Sequence, residues 1–267
     1  MSQGNDVMPS AGPEPVVPAG YEGVPHERVR LRLRRRTIAR NLTVAASIPS
    51  LTADVQVDLT ALLAARQEWN NQPGCPARLS VLAFLARAAV ATLLDFPDLN
   101  ATFTDTELIR WTTVNLGIAV DTPTGLVVPV IRDAQKYGVR EIGELIRDLG
   151  ARGRDGGISS EELSGGTFTL SNPGSVGPSI RAEALLNPPQ VALLGFPGMS
   201  REPVVVTDDS GAESIQIRSI LRPSLTFDHW AIDGGEAVRF LVGFRDKVQG
   251  WSLEQHQVLT APGQLAR

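Results

Sequence analysis

Residues 225–234 read Leu-Thr-Phe-Asp-His-Trp-Ala-Ile-Asp-Gly, a stretch in which a β-rich run ends at His229 and a helical pattern follows Gly234. Five apolar residues then recur at the spacing of one helical face: Ala237, Phe240, Leu241, Phe244 and Val248. A histidine at a strand-to-helix corner is held by two rigid elements and can still face a cleft. The other histidines, His26 and His256, lie in polar terminal stretches, so His229 is the candidate functional histidine.

Strands and helices alternate along the rest of the chain. The patterns predict strands over Leu51–Leu59, Val114–Val120, Leu126–Ile131, Thr167–Ser171, Val191–Gly195, Pro203–Thr207 and Ile215–Phe227. They predict helices from Thr37, from Asp58, and over Val81–Leu94, Val139–Arg152 and Gly235–Val248. Ser159 and Glu162 have the spacing of a capping box for one short turn. Because hairpins are frequent, the order favours a mixed sheet with helices on one side over a doubly wound parallel sheet.

The composition excludes several classes of protein. The 267 residues are 42% hydrophobic and 20% charged, which is a globular balance. The net charge of −4 argues against nucleic acid as the main partner. The longest apolar run, Val81–Leu94, contains Arg87, so no segment suits a membrane span. A single cysteine, Cys75, permits neither an internal disulfide nor a four-cysteine zinc site, and we expect a reducing, cytoplasmic location without a resident metal.

The chain divides into two unequal parts. Residues 1–25 are rich in proline and glycine and are expected to form a flexible arm or the remnant of a linker. Residues 26–267 have the length and composition of one large domain. A cluster of arginines opens that domain: Arg28, Arg30, Arg32, Arg34, Arg35, Arg36 and Arg40. This cluster is compatible with a solvated or intersubunit face, with coenzyme A phosphates, or with docking of an acidic partner domain.

Six segments, in order, resemble one known family. They are Arg36–Leu42, Phe96–Ala101, Gly117–Val130, Gly165–Asn172, Asn187–Gln190 and the His-x-x-x-Asp-Gly motif at His229–Gly234. Together they resemble the catalytic domains of dihydrolipoamide acyltransferases, the core components of 2-oxo acid dehydrogenase complexes, within the chloramphenicol acetyltransferase superfamily. The resemblance covers roughly residues 28–250. It implies that residues 26–267 form an acyltransferase catalytic domain with a two-layer α/β sandwich fold, assembled as a trimer whose active sites lie between subunits.

The resemblance also implies a chemistry and a role for each site residue. An acyl group would move between the dihydrolipoyl thiol of a carrier domain and coenzyme A. His229 would be the general base and Ser171 would stabilise the oxyanion through its hydroxyl. Asp233 would be structural, paired with one of Arg34, Arg35, Arg36 or Arg40, and Gly234 would allow a tight turn into the helix.

Three features depart from the family pattern. Neither lysine, Lys136 or Lys247, has the flanking residues of a lipoyl attachment site, so the lipoyl group is expected on a carrier that acts in trans. Trp230 stands where the family usually has arginine. The polar chain end, residues 260–267, lacks an obvious apolar C-terminal segment of the kind that joins trimers into cages in the family. A trimer is therefore expected, and a larger cage is left open. The acyl group and the coenzyme A contacts are also left open.

The partners that follow are a lipoyl carrier domain, the 2-oxo acid dehydrogenase and dihydrolipoamide dehydrogenase components, and further copies of the chain. Two alternatives stay open. One is a coenzyme A-dependent acyltransferase with a small hydroxyl or amine acceptor, which Trp230 and the missing lipoyl lysine favour. The other is a non-catalytic core that organises partner enzymes. The sequence does not decide whether this is a natural stand-alone chain or an excised core.

Overall fold

The computed structural model describes residues 17–31, 33–72, 78–123, 125–178 and 180–251, without the side chain of Arg34. The helices in these ranges are α1 (Leu33–Ser47), α2 (Thr60–Asn71), α3 (Val81–Leu93), α4 (Val139–Arg154) and α5 (Gly234–Gln249). The strands are β1 (Ser50–Asp54), β2 (Val57–Asp58), β3 (Ala101–Phe103), β4 (Leu108–Arg110), β5 (Leu116–Ile118), β6 (Val130–Ile131), β7 (Phe168–Ser171), β8 (Ala192–Gly195), β9 (Ser200–Thr207), β10 (Glu213–Leu221) and β11 (Ser224–Asp228). Most of the arm predicted over residues 1–25 lies outside the described residues.

A six-stranded mixed sheet has the strand order β1-β11-β8-β7-β5-β6. Strand β8 pairs in parallel with β7 on one side and antiparallel with β11 on the other. Strands β5 and β7 are also parallel, whereas the β1–β11 and β5–β6 pairs are antiparallel. A smaller sheet has the order β2-β10-β9, and β3 forms a hairpin with β4. The prediction of a mixed sheet is therefore confirmed.

The two faces of the main sheet differ in polarity because side chains alternate along each strand. The strand registers place Leu116, Phe168, Leu170, Leu194, Leu225 and Phe227 on one face, and all of them are buried. The other face carries Gly117, Thr169, Ser171, Thr226 and Asp228, together with the apolar Leu193. Side chains of α2, α3, α4 and α5 join the apolar face in one hydrophobic core. Helices therefore pack on one side of the sheet, as the sequence predicts.

Helix α5 provides the aromatic part of this core. The ring of Phe240 is fully buried and lies 5.8 Å from the ring of Phe96 and 6.2 Å from that of Phe168, measured between centroids. One turn later, Phe244 lies 6.0 Å from Phe196. These contacts fix α5, and with it the corner that precedes the helix. None of the helices in the described part of the chain is both long enough and apolar enough to cross a membrane.

The predicted strand Ile215–Phe227 is two strands that belong to different sheets. Strand β10 ends at Leu221 and β11 begins at Ser224, with Pro223 between them. Proline has no N–H to donate to a ladder, so the pairing stops there. The break lets β10 pair with β2 and β9 while β11 enters the main sheet.

We predict that Phe240→Ala lowers the free energy of unfolding by about 3–5 kcal/mol, because it leaves a cavity between α5 and the sheet. Denaturant unfolding measures this change. Val238→Ala is the matched control on the same helix, since Val238 is 52% exposed, and its effect should stay within about 0.5 kcal/mol. Equal effects of the two substitutions would contradict the placement of α5.

Candidate functional site

The corner that carries His229 lies where β11 ends and before α5 begins. The backbone N–H of His229 donates to the carbonyl oxygen of Pro49 at 3.0 Å, which ties the corner to the start of β1. The imidazole ring is exposed, and its centroid lies 5.8 Å from that of Phe227. The imidazole of His229 therefore combines a fixed backbone with a solvent-accessible surface on which a ligand can bind.

Asp228 fixes the turn at this corner. Its buried carboxylate accepts a hydrogen bond from the backbone N–H of Trp230 at 2.9 Å. Its carbonyl oxygen accepts from the N–H groups of Ala231 at 3.1 Å and Ile232 at 2.9 Å. Sequence reasoning assigned no role to Asp228, and the only signal for one is its place directly before the histidine.

Asp233 caps helix α5 through its backbone. Its carbonyl oxygen accepts from Glu236 N–H at 3.0 Å and from Ala237 N–H at 3.2 Å, while its carboxylate is exposed. Among the described side chains no ion pair joins Asp233 to an arginine of α1, and the side chain of Arg34 lies outside the description. A Cβ built on Gly234 meets no atom within 4 Å in the described part of this chain, so no close approach there requires the glycine.

Acidic groups accumulate around the first turn of α5. Burial raises the pKa of the Glu236 carboxyl above its usual value, and the negative charges of Asp98 and Asp233 raise it further. Arg239 and Arg110 act in the opposite direction, and Arg110 also forms an ion pair with Asp98. The helix start next to the histidine corner is therefore a mixed cluster of charges. In the described ranges, no group of three His, Cys, Asp or Glu side chains is arranged to hold a metal ion.

Ser171 is the last residue of β7 and is half-buried. Its carbonyl oxygen accepts from the N–H of Phe196 at 2.8 Å, and the carbonyl of Phe196 accepts from Gly174 N–H at 3.1 Å. The following turn, Pro173–Val176, therefore lies against the chain that leaves β8. A Cβ on Gly174 would come within 2.3 Å of the carbonyl oxygen of Pro197, so this turn leaves no room for a side chain. Sequence reasoning did not single out Gly174.

Ser171 and His229 lie at opposite ends of the main sheet. Ser171 pairs with Gly195, and Gly195 pairs with Ser224, so Ser171 stands level with the start of β11. His229 follows the far end of the same strand. Four residues of β-rise and two strand spacings separate Ser171 from Asp228, a distance on the order of 15 Å. Within one chain, these two side chains are too far apart to act on the same small group of atoms.

Residues 24–254 match the family described as 2-oxoacid dehydrogenases acyltransferase (catalytic domain). The chain is 35% identical over 263 residues to the dihydrolipoyllysine-residue acetyltransferase component of the Corynebacterium glutamicum pyruvate dehydrogenase complex, covering 93% of this chain and 38% of the relative. It is 36% identical over 228 residues to the dihydrolipoyllysine-residue succinyltransferase component of the Rickettsia bellii 2-oxoglutarate dehydrogenase complex, covering 84% of this chain and 55% of the relative. The chain thus spans about two-fifths to half of the length of these curated relatives.

Solved structures agree over nearly their whole length. The cubic core of a pyruvate dehydrogenase multienzyme complex has a TM-score of 0.79 at 30% identity, covering 88% of this chain and 97% of the solved one. A chain of Azotobacter vinelandii dihydrolipoamide acetyltransferase has the same TM-score, identity and coverage. That chain was studied for the role of a serine, a histidine and an asparagine in its catalytic mechanism.

We predict that Gly174→Ala destabilises the protein by about 1–3 kcal/mol, because the new methyl group overlaps the backbone at Pro197. Denaturant unfolding measures the change. Gly177→Ala is the matched control in the same segment, because a Cβ there meets only the Ile180 side chain at an ordinary 3.5 Å. If Gly174→Ala unfolds at the same denaturant concentration as the control, the close approach does not exist.

Proposed function

Because the chain belongs to the 2-oxoacid dehydrogenase acyltransferase family and matches its catalytic domain, we propose that it transfers an acyl group between a dihydrolipoyl thiol and coenzyme A. The lipoyl group is carried in trans. The observation that carries the proposal is the exposed imidazole of His229, on the fixed corner of the His-x-x-x-Asp-Gly motif. We place the catalytic domain at residues 26–267, with residues 1–25 as an arm or linker remnant.

His229 acts as the general base. A free thiol has a pKa of about 8.5, so little of it is thiolate near neutral pH. A neutral imidazole can take the proton as the sulfur attacks the thioester carbonyl, and can return it to the departing sulfur. The hydrogen bonds that Asp228 accepts from the N–H groups of Trp230, Ala231 and Ile232 fix the backbone conformation that positions this ring.

Ser171 stabilises the intermediate of the transfer. Attack on the thioester places negative charge on the former carbonyl oxygen, and a hydroxyl donor placed there contributes about 3–4 kcal/mol. The side chain of Ser171 is half-buried on the polar face of the sheet. The histidine and the asparagine studied in the Azotobacter vinelandii relative are separated by the same interval as His229 and Asp233, which supports the motif as the catalytic one, with Asp233 and Gly234 in a structural role.

The active site is formed by two copies of the chain. In one chain, Ser171 lies on the order of 15 Å from Asp228, the residue before His229, so a shared thioester requires Ser171 of one copy and His229 of the next. A ring of copies related by rotation repeats this contact and closes on itself. We propose the trimer, which a larger cage could incorporate, and a cytoplasmic location on the ground of the single cysteine.

The partners follow from the same chemistry. A lipoyl carrier domain must reach the composite site, and the 2-oxo acid dehydrogenase and dihydrolipoamide dehydrogenase components load and reoxidise that carrier. The named relatives include acetyltransferases and succinyltransferases, so the transferred acyl group has to be identified with a panel of acyl-coenzyme A donors. Trp230 follows His229 in the chain and is 66% exposed. An apolar side chain at this position favours a small hydroxyl or amine acceptor as the second candidate function.

We expect the wild-type chain to transfer acyl groups from acyl-coenzyme A to dihydrolipoamide, and His229→Ala to lose at least about a hundredfold in rate because no base removes the thiol proton. A panel of acetyl-, succinyl- and branched-chain donors measures both the transfer and the acyl preference. If the folded, assembled protein transfers no acyl group from any of these donors, the proposal is contradicted. Transfer to a small alcohol or amine alone would establish the second candidate.

Co-expression of Ser171→Ala with His229→Ala tests the composite site. In a randomly mixed assembly, about one quarter of the sites combine an intact Ser171 with an intact His229 from the next copy, so about a quarter of wild-type activity should return. Each variant expressed alone is the control and stays inactive. Absence of rescue in assemblies that mass spectrometry shows to be mixed would place both residues in one chain's site.

A further inference from the structure

Four residues of neighbouring strands form one row across the end of the main sheet that carries Ser171. The registers pair Ser171 with Gly195, Gly195 with Ser224, and Ser224 with Asp54. Residues that pair directly across strands point to the same face of a sheet, so the carboxylate of Asp54 lies on the polar face together with the hydroxyl of Ser171. Three strand spacings, about 14 Å, separate the backbones of these two residues.

The segment that carries Arg181 is attached to the same end of the sheet. The N–H of Gly198 donates to the carbonyl oxygen of Ile180 at 2.7 Å. Gly198 also lies against the turn at Gly174, because a Cβ built on Gly174 would come within 2.6 Å of the Gly198 nitrogen. The backbone of Arg181 therefore lies beside the turn that directly follows Ser171.

The guanidinium of Arg181 is only loosely engaged. Its Nη2 lies 3.3 Å from Oδ1 of Asp54 and 3.8 Å from Oε1 of Glu183, and the three side chains are between 41% and 61% exposed. Exposed ion pairs of this kind contribute little to stability. Among the described residues, Nε and Nη1 of Arg181 have no acceptor. Most of the N–H donors of this guanidinium are therefore available to a ligand.

Arg222, a second arginine at this end of the sheet, is engaged much more firmly. It donates to both carboxylate oxygens of Glu202, at 2.5 and 2.7 Å, and to the side-chain oxygen of Gln56 at 3.0 Å. Two parallel bonds to one carboxylate are the arrangement in which an arginine holds an acid most strongly. Of the two arginines, Arg181 is therefore the one that can take a further carboxylate.

We propose that Arg181 binds the terminal carboxylate of the transferred acyl group, so that the preferred donors of this chain are coenzyme A thioesters of dicarboxylic acids. This rests on the proposed acyl transfer at Ser171. A thioester carbonyl at the Ser171 hydroxyl lies on the same face and at the same end of the sheet as the guanidinium. In a four-carbon acyl group of this class, the carboxylate carbon lies about 4 Å from the thioester carbon. Rotation of the exposed Arg181 side chain brings the guanidinium toward it.

The two acids around Arg181 sharpen the choice between acyl groups. The planar guanidinium can form two parallel hydrogen bonds with a substrate carboxylate, whereas Asp54 has a single long contact with it. Without the arginine, Asp54 and Glu183 would present two negative charges to the same carboxylate and repel it. An uncharged acyl group neither gains from the guanidinium nor is repelled by the acids. Arg181 therefore discriminates between charged and uncharged acyl groups.

Arg181→Met tests the proposal, because methionine keeps an unbranched side chain and removes the charge. Succinyl-coenzyme A and butyryl-coenzyme A are the paired donors, since both acyl groups have four carbons and only succinyl carries a carboxylate. We expect the substitution to lower the ratio of kcat/KM for succinyl over butyryl transfer to dihydrolipoamide by at least about tenfold. Asp54→Asn removes the competing carboxylate and should raise the same ratio.

Arg140→Met is the matched control, because Arg140 is 51% exposed and pairs with Glu144 at 3.1 Å within α4. It should leave the ratio at the wild-type value. Equal losses for both donors in Arg181→Met would assign this arginine to the coenzyme A part that the donors share, and would overturn the proposal. An unchanged ratio in Arg181→Met overturns it as well.

Equilibrium binding of the two donors, measured by calorimetry without an acceptor, separates this proposal from the proposed function. The wild type should bind succinyl-coenzyme A more tightly than butyryl-coenzyme A, and Arg181→Met should lose that preference. A preference that depends on Arg181 without any acyl transfer keeps the carboxylate site and removes the function. Acyl transfer in which neither the ratio nor the binding preference depends on Arg181 keeps the function and removes the carboxylate site.

Discussion

Strand β8 pairs with β7 on one side and with β11 on the other, and these two registers decide which side chains enter the helical core. A slip of one residue in either register would turn Phe168, Leu194 or Phe227 from the helical core to the polar face. The registers that bury this core also fix Ser171 at one end of the sheet and His229 at the other. The stability of the core and the separation of Ser171 from His229 are therefore set by the same strand registers.

Much of the fold could be predicted from local pattern, because the longer elements bury one face at a regular spacing. Helix α4, predicted over Val139–Arg152, extends to Arg154, and Ser159 and Glu162 exchange the two hydrogen bonds of a capping box at 3.0 and 3.3 Å. The split between β10 and β11 was not predictable from β-propensity, which is high on both sides of Pro223. The exposure of Ile215 and Ile217 was also not predictable, because β-branched apolar residues indicate a strand but do not indicate whether other elements cover it.

The sequence names candidate site residues but does not give their arrangement. The motif and its family resemblance indicate His229 and Ser171, but their separation depends on the registers of three strands that are distant in sequence. The two aspartates beside the histidine show the same limit. Asp228 ends β11 and Asp233 precedes α5, and only the structure distinguishes the buried carboxylate that accepts from Trp230 N–H from the exposed one at the helix start.

Pro203 lies in β9, the edge strand of the small sheet, where an open strand edge could pair with another chain. Val205, Ile215 and Ile217 lie exposed on one face of the hairpin that β9 forms with β10, and exposed apolar side chains on a β-ribbon are the kind of surface that seeds aggregation. Fibre growth, however, proceeds by adding strands to an open edge through an unbroken row of backbone bonds. With Pro203 in β9 that row is interrupted, so the edge of the hairpin offers no continuous template for the addition of further strands.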